Sequence, residues 1–353
     1  MKSKNLILSV AFLFTLLKLH SAESEPRYYK AVHLMAPYPA KDLEVVQQAI
    51  TNVFAPAGVN MIIFEIDYRF QWKSHPELRG DQPFSEEQIK NFSDLCHRYK
   101  IKLVPLFNCL GHQSWSSHNS PLIEKYPQFD ETPGLPKNNP GIYCRSWCPS
   151  NPDLLPVITD LFSELVNAFK TDMLHTGMDE VFIIADKDCP RCKGKNPADL
   201  FAKAVNDLRD ILKKLDVKMM MWGDRLLNDA EMKYGKWESS QNGTYPAIDK
   251  IPKDIIICDW HYEPRDSYPS VDFFLSKGFK VMPSTWKNQK AAIAFLNYAN
   301  KFRANSNLAG HLCTTWVNSA NLSRVWLGEK PKSGEVNEIA TTTKIMLKEI
   351  SKD

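Results

Sequence analysis

An imidazole, a glycine and two adjacent carboxylates come together in His175-Thr176-Gly177-Met178-Asp179-Glu180. The stretch closes an apolar, strand-like run that includes Met173 and Leu174. Strand side chains alternate faces, so a regular strand would put His175, Gly177 and Asp179 on one face and turn Glu180 away. If the strand stops at Gly177, both carboxylates can turn into one pocket. Two carboxylates in unequal environments, one protonated and one ionised, are the equipment for cleaving a glycosidic bond. The plain alternative is an exposed Asp-Glu pair opening a loop.

The chain has 353 residues, 43% hydrophobic and 24% charged, which is enough apolar material for a large core. Residues 1–22 read as a secretory signal. Lys2 and Lys4 precede an apolar stretch from Leu6 to Leu17, and Ser21-Ala22 supply small residues for cleavage. The expected location is therefore secreted or periplasmic, with the catalytic domain at 23–353. Loss of the leader removes Lys2, Lys4 and Lys18 and no acid, so the formal charge of +3 falls to about zero. That balance points away from nucleic acid as a partner, and no later stretch has the length of a membrane span.

Behind the Asp-Glu stretch lies a regular alternation. Apolar runs at 31–35, 61–67, 103–108, 173–177, 217–222, 255–260, 281–286 and 308–316 alternate with amphipathic stretches. Those near 41–54, 85–99, 153–169, 198–215 and 335–350 carry helical periodicity. Eight strand-helix units in strict alternation imply parallel pairing with right-handed crossovers. The expected fold is α/β, a single-domain (β/α)8 TIM barrel. An open doubly wound sheet is disfavoured because no Gly-rich phosphate turn follows the first strand.

Barrel active sites occupy the C-terminal ends of the strands. Those ends carry Asp67, Asn108 with His112, Asp179-Glu180, Trp222 with Asp224, Trp260 with Tyr262, Trp286 and Trp316. Four strands ending in tryptophan would form an aromatic wall. Sugars stack their C–H faces on such rings and need charged or amide partners for their hydroxyls.

At these residues the chain resembles family 20 of the glycoside hydrolases, the β-N-acetylhexosaminidases. His175 to Glu180 looks like the family's His-x-Gly-Gly-Asp-Glu signature. Leu103 to His112, Cys148-Pro149-Ser150-Asn151-Pro152, Trp222-Gly223-Asp224 and Leu312 to Trp316 fit further segments in the same order. There are departures. Met178 replaces the second glycine, and Asn108 stands where an aspartate is usual. His33 lies on a first strand without the arginine that grips the outer hydroxyls. Asn318 stands where a glutamate normally follows the last-strand tryptophan. No counterpart of the family's small N-terminal domain is expected.

The resemblance implies exo-acting, retaining, substrate-assisted hydrolysis of terminal β-linked GalNAc or GlcNAc, in which the 2-acetamido oxygen forms an oxazolinium ion. Glu180 would be the acid and then the base, and Asp179 would hold the acetamido N–H and face the developing charge. Tyr262 would donate to the acetamido oxygen. Trp222, Trp260, Trp286 and Trp316 would close the pocket, with His33, Asp67, Asn108, His112, His175, Asp224 and Asn318 as further substrate-binding candidates. No cofactor is expected. A binding barrel without turnover, or a direct nucleophile such as Glu65 or Asp67 paired with Glu180, are the alternatives.

Eight cysteines remain. Cys144 and Cys148 follow the third strand, and Cys189 and Cys192 follow the fourth. Four thiols meeting there suit one structural zinc or two disulfides, and an exported protein favours disulfides. Cys96, Cys109, Cys258 and Cys313 lie in apolar segments and read as buried free thiols.

Overall fold

The computed structural model describes residues 26–352; the expected leader at 1–22 lies outside them. Eight parallel strands close into a barrel: β1 (Tyr29–Met35), β2 (Met61–Glu65), β3 (Lys102–Cys109), β4 (Met173–Gly177), β5 (Lys218–Trp222), β6 (Ile256–Trp260), β7 (Lys280–Thr285) and β8 (Gly310–Cys313). Neighbours in the chain are neighbours in the barrel, and β8 pairs with β1 through Tyr29↔Gly310. At that seam the chains come so close that a Cβ on Gly310 would sit 2.3 Å from the Tyr29 carbonyl oxygen.

The period of two along each strand divides the apolar residues into two cores. Ala31, Met61, Ile63, Val104, Leu106, Met173, Met220, Ile256, Cys258, Met282 and Leu312 fill the barrel interior. Alternate residues such as Val32, Leu34, Ile62, Phe64, Leu174 and Met221 face outward. They meet helices α1 (Leu43–Ala49), α2 (Glu86–Arg98), α3 (Leu154–Phe169) and α4 (Pro197–Lys214), later α5 (Pro269–Ser276), α6 (Gln289–Asn300), α7 (Ser319–Trp326) and α8 (Gly334–Glu349). Local signals set the helix starts. Ser85 and Gln88 form a capping box on α2, and Asn196 caps α4 with Pro197 in its first turn.

The strict alternation fails at one place. Between β5 and β6 the chain makes only short helical turns, including Asp229–Met232 and Gly235–Glu238. Gly235 and Gly243 in left-handed conformations and the run Ser239-Ser240-Gln241-Asn242-Gly243 break any longer helix there. Among the described residues no helix is long and apolar enough to cross a membrane.

Candidate active site

β4 ends at Gly177, which is what allows both carboxylates to reach one pocket. Gly177, Met178 and Glu180 all hold positive φ, at 67°, 75° and 50°. This tight left-handed run replaces strand alternation with a turn. Gly177 is required twice over, since a Cβ there would also meet Asn108 Oδ1 at 2.6 Å. Met178 pays a conformational cost that its burial in the outer core offsets.

His112, itself at φ 53°, lies between the two carboxylates. Its Nε2 is 3.3 Å from Asp179 Oδ2 and 3.4 Å from Glu180 Oε2. Burial works against a charged ring, but Asp179 and Glu180 together outweigh it and hold His112 well above the usual histidine range. Burial likewise opposes the Asp179 carboxylate, and the His112 charge overcomes it to leave that carboxyl below its ordinary value. Asp179 Oδ1 is buried with no partner among the described residues. Below it, His175 accepts the Gly177 N–H on Nδ1 at 3.1 Å. Burial pushes His175 down to about 3, so the neutral ring carries its proton on Nε2, which is also unpartnered.

The strand-end tryptophans gather as expected, in two groups. Trp222 packs on His175 at 4.5 Å and on Trp316 at 5.7 Å. Trp260 meets Tyr262 at 5.0 Å, and Tyr262 meets Trp286 at 5.3 Å. The Tyr262 hydroxyl accepts from Trp316 Nε1 at 2.8 Å and from Thr314 Oγ1 at 3.2 Å. Thr314 Oγ1 has one proton and also lies 2.9 Å from the Thr285 carbonyl, so the bond from Trp316 is the one that the Tyr262 oxygen accepts without competition. Burial drives the Tyr262 hydroxyl far up, so it stays protonated.

Other expected residues serve the walls. Asp224 is 2% exposed; it accepts from the Glu180 N–H at 3.0 Å, Arg225 Nε at 2.6 Å and Trp260 Nε1 at 3.3 Å. Burial raises it to about 6, so it is ionised against Arg225 at neutral pH. Asp224 thus fixes the turn that aims Glu180. His33 is wholly buried, tilted under Trp316 at 4.4 Å and bonded to Glu65 at 2.9 Å. Asn318 caps α7 through the Ala320 N–H and donates to the Tyr38 carbonyl at 2.5 Å, which commits both ends of its amide.

Asn108 explains its own departure from aspartate. A register shift between Leu106 and Cys109 re-aims the end of β3. The amide then donates to Glu65 Oε1 at 3.1 Å and Asp67 Oδ2 at 3.0 Å, while the Asn108 N–H reaches Asp67 Oδ1 at 2.8 Å. Burial, with the Glu65 charge, lifts Asp67 to about 7. An aspartate here would be a third carboxylate against two others. Asn108→Asp should therefore destabilise the fold at pH 8 by about 3 kcal/mol, from two lost hydrogen bonds to charged groups plus repulsion. The crowded carboxyls would have raised folded values, so the defect should shrink as pH falls toward 5. Urea melts of both proteins at the two pH values check this, and an equal deficit at both would refute it.

Sequence reading offered Glu65 only as an alternative nucleophile and missed it as a wall residue, although it shares the inward parity of Met61 and Ile63. It also missed Tyr143, whose hydroxyl faces Glu180 and is pushed up by burial and then by that carboxylate. Tyr143 sits in an exposed aromatic group with Trp115 at 5.1 Å, Trp237 at 5.1 Å and Phe182 at 5.9 Å. Buried Arg145 staples this loop by bonding Asp130, Asn139 and the carbonyls of Thr132 and Pro136. A tyrosine or tryptophan in a loop after a barrel strand was the available signal.

A closed parallel barrel with a carboxylate pair and an aromatic wall at its strand C-termini has the build of a glycoside hydrolase. Residues 67–339 match the description Glycosyl hydrolase family 20, catalytic domain, and the chain belongs to that family. A lacto-N-biosidase from Bifidobacterium bifidum is 22% identical over 270 residues, covering 72% of this chain and 21% of that protein. Among solved structures, a Flavobacterium johnsoniae chitobiase superposes with a TM-score of 0.64 at 19% identity, over 92% of this chain and 51% of that one. An exo-β-N-acetylglucosaminidase from Vibrio harveyi, solved with N-acetylglucosamine, gives 0.60 at 14% identity, over 92% and 58%. The chain thus spans about a fifth of the curated relative and about half of the chitobiase. At these identities the structural likeness speaks to the fold.

Proposed function

We propose that the protein is an exo-acting, retaining β-N-acetylhexosaminidase that uses the substrate's own 2-acetamido group as nucleophile. The observation that carries this reading is the buried, unpartnered Asp179 Oδ1, on a carboxylate held ionised by His112 and placed beside Glu180. An anionic oxygen of that kind suits an acetamido N–H, and its charge stabilises the oxazolinium that forms. Tyr262, kept protonated by burial, would hold the acetamido oxygen in line for attack. Glu180 would protonate the leaving oxygen and then activate water. A direct nucleophile at Glu65 or Asp67 is less well supported, because His33 and Asn108 occupy their oxygens. Retention of a placed acid favours turnover over binding alone. The leader-like residues 1–22 support a secreted or periplasmic location, with the catalytic domain following it.

The exposed aromatics Trp115, Tyr143 and Trp237 would receive the aglycone by stacking. For the sugar itself, the outer-hydroxyl grip is altered. His33 is covered by Trp316, and the Asn318 amide is committed to backbone. A site without charged bonds to the 4-hydroxyl loses the means to penalise the wrong epimer. β-GalNAc glycosides should then be cleaved at least as well as β-GlcNAc glycosides. A panel of aryl β-glycosides of GlcNAc, GalNAc, glucose and galactose tests both claims. The two N-acetyl sugars should be turned over and the 2-hydroxy sugars left nearly untouched. A GlcNAc preference above about tenfold, roughly 1.4 kcal/mol, would contradict the epimer claim alone.

A further inference from the structure

Beside the pocket, two loops converge on a buried cluster that the chemistry above does not use. Glu131 and Cys148 come from the β3–α3 loop, and Cys189 and Cys192 from the β4–α4 loop. Cys148 Sγ lies 3.4 Å from Cys192 Sγ and 3.5 Å from Cys189 Sγ. One carboxylate oxygen of Glu131 and the three sulfurs all fall within 4.8 Å of one another, and all four residues are buried. Glu131 is 0% exposed; one oxygen accepts the Asp186 N–H at 3.0 Å, and the other, Oε2, has no well-aligned hydrogen-bond partner among the described residues, while the Cys189 and Cys192 thiols approach the carboxyl.

The set has the wrong arrangement for the disulfides expected from sequence. All eight cysteines are free, and Cys144 stands apart with its thiol against the Glu180 carbonyl at 3.6 Å. Cys148 is shared almost equally between two sulfurs, so no pair is singled out, and any pairing strands a third thiol beside a buried carboxylate. A tetrahedral zinc ion binds sulfur at about 2.3 Å, which spaces its thiolates about 3.8 Å apart, and it accepts a carboxylate oxygen as fourth ligand. Cys189-Pro190-Arg191-Cys192 is also shaped for it. The Arg191 N–H points at Cys189 Sγ, the Cys189 and Cys192 carbonyls accept from Lys193 and Lys195, and Gly194 turns the chain away at φ 74°.

We propose that Glu131, Cys148, Cys189 and Cys192 bind one structural zinc ion that ties the β3–α3 loop to the β4–α4 loop. Each thiol gives its proton to solvent on binding, so three protons leave as zinc enters and the complex carries a net charge of −2. Affinity therefore falls as pH is lowered. The ion is a positioning element. Cys144 and Tyr143 lie just upstream of Cys148, and Glu180 lies upstream of Cys189, so the tie holds the two loops that face each other across the acid.

Metal content tests this without reference to activity. The purified full chain, free of any polyhistidine tag, should hold about one zinc per chain by elemental mass spectrometry. Cobalt(II) in its place should give tetrahedral d–d bands and a sulfur-to-cobalt charge-transfer band with the intensity of three thiolates. Cys144→Ser should keep the metal, and Cys148→Ser should lose most of it. If Cys148→Ser fails to fold, the wild-type cobalt spectrum still decides. A protein mass lowered by two hydrogens, a spectrum with no charge-transfer band, or one that loses a thiolate in Cys144→Ser would overturn the proposal.

Discussion

Replacing Glu180 by glutamine should lower kcat on an unactivated β-N-acetylhexosaminide by about three orders of magnitude, within the range a positioned proton donor supplies. The shape is nearly kept, so KM should move little. The turn that aims the residue should survive as well, because the Glu180 N–H still reaches Asp224 and its left-handed backbone is held by the neighbouring chain. The deficit should shrink on an aryl glycoside whose leaving group needs little acid help. Steady-state kinetics on both substrates check this. Equal activity of the two proteins on the unactivated glycoside would remove Glu180 from the role.

Asp179→Asn should cost about two to three orders of magnitude in kcat, because it removes the fixed anion facing the positive charge that develops on the substrate. The same change should be visible without substrate. His112 is held up chiefly by Asp179 against its own burial, so its titration should move down in the variant, as followed by proton NMR of the ring. The stability effect has a definite pH window. Asp179, lowered on folding, contributes stability above its unfolded value of about 3.9 that is lost in stronger acid. His112, raised on folding, contributes stability that is complete below its unfolded value of about 6.5 and is lost as pH rises through the folded value. The wild-type advantage over Asp179→Asn should therefore peak between about pH 4 and 6.5. A variant with unchanged His112 titration would show that the two groups are not paired in solution.

The barrel and much of the pocket could be read from sequence because both follow from a period of two. Ala31, Met61, Val104, Met173, Met220, Ile256 and Met282 fix which face points inward, and the same parity carries His33, Asn108, His175, Trp222 and Trp260 to the rim. Glu65 obeys that rule too, though the sequence offered it only as an alternative nucleophile and not as the bonded partner of His33 and Asn108. The turn after Gly177 was legible as a condition, since only a strand that stops there brings Asp179 and Glu180 together. What escaped depends on loops folding back on one another. Tyr143 reaches Glu180 because buried Arg145 staples a long irregular loop, and no spacing in the chain announces that contact. The fourth group beside the cysteines is Glu131 rather than Cys144 for the same reason. Asn108 and Asn318 stand out in sequence only as departures, and their partners supply the physical reasons.

The central claim is that the nucleophile belongs to the substrate. One ring nitrogen and one oxygen each of Asp179 and Glu180 lie within 4.8 Å of one another, a closeness that would also suit a direct carboxylate nucleophile. Successive fluorination of the acetamido methyl separates the two, since it weakens the amide oxygen as a nucleophile and leaves the ring and leaving group unchanged. For a series of aryl 2-acetamido-β-glycosides with zero to three fluorines, log(kcat/KM) should fall steeply and in step with the number of fluorines. A flat series, together with a stable glycosyl-enzyme trapped by a 2-fluoro sugar, would contradict the account.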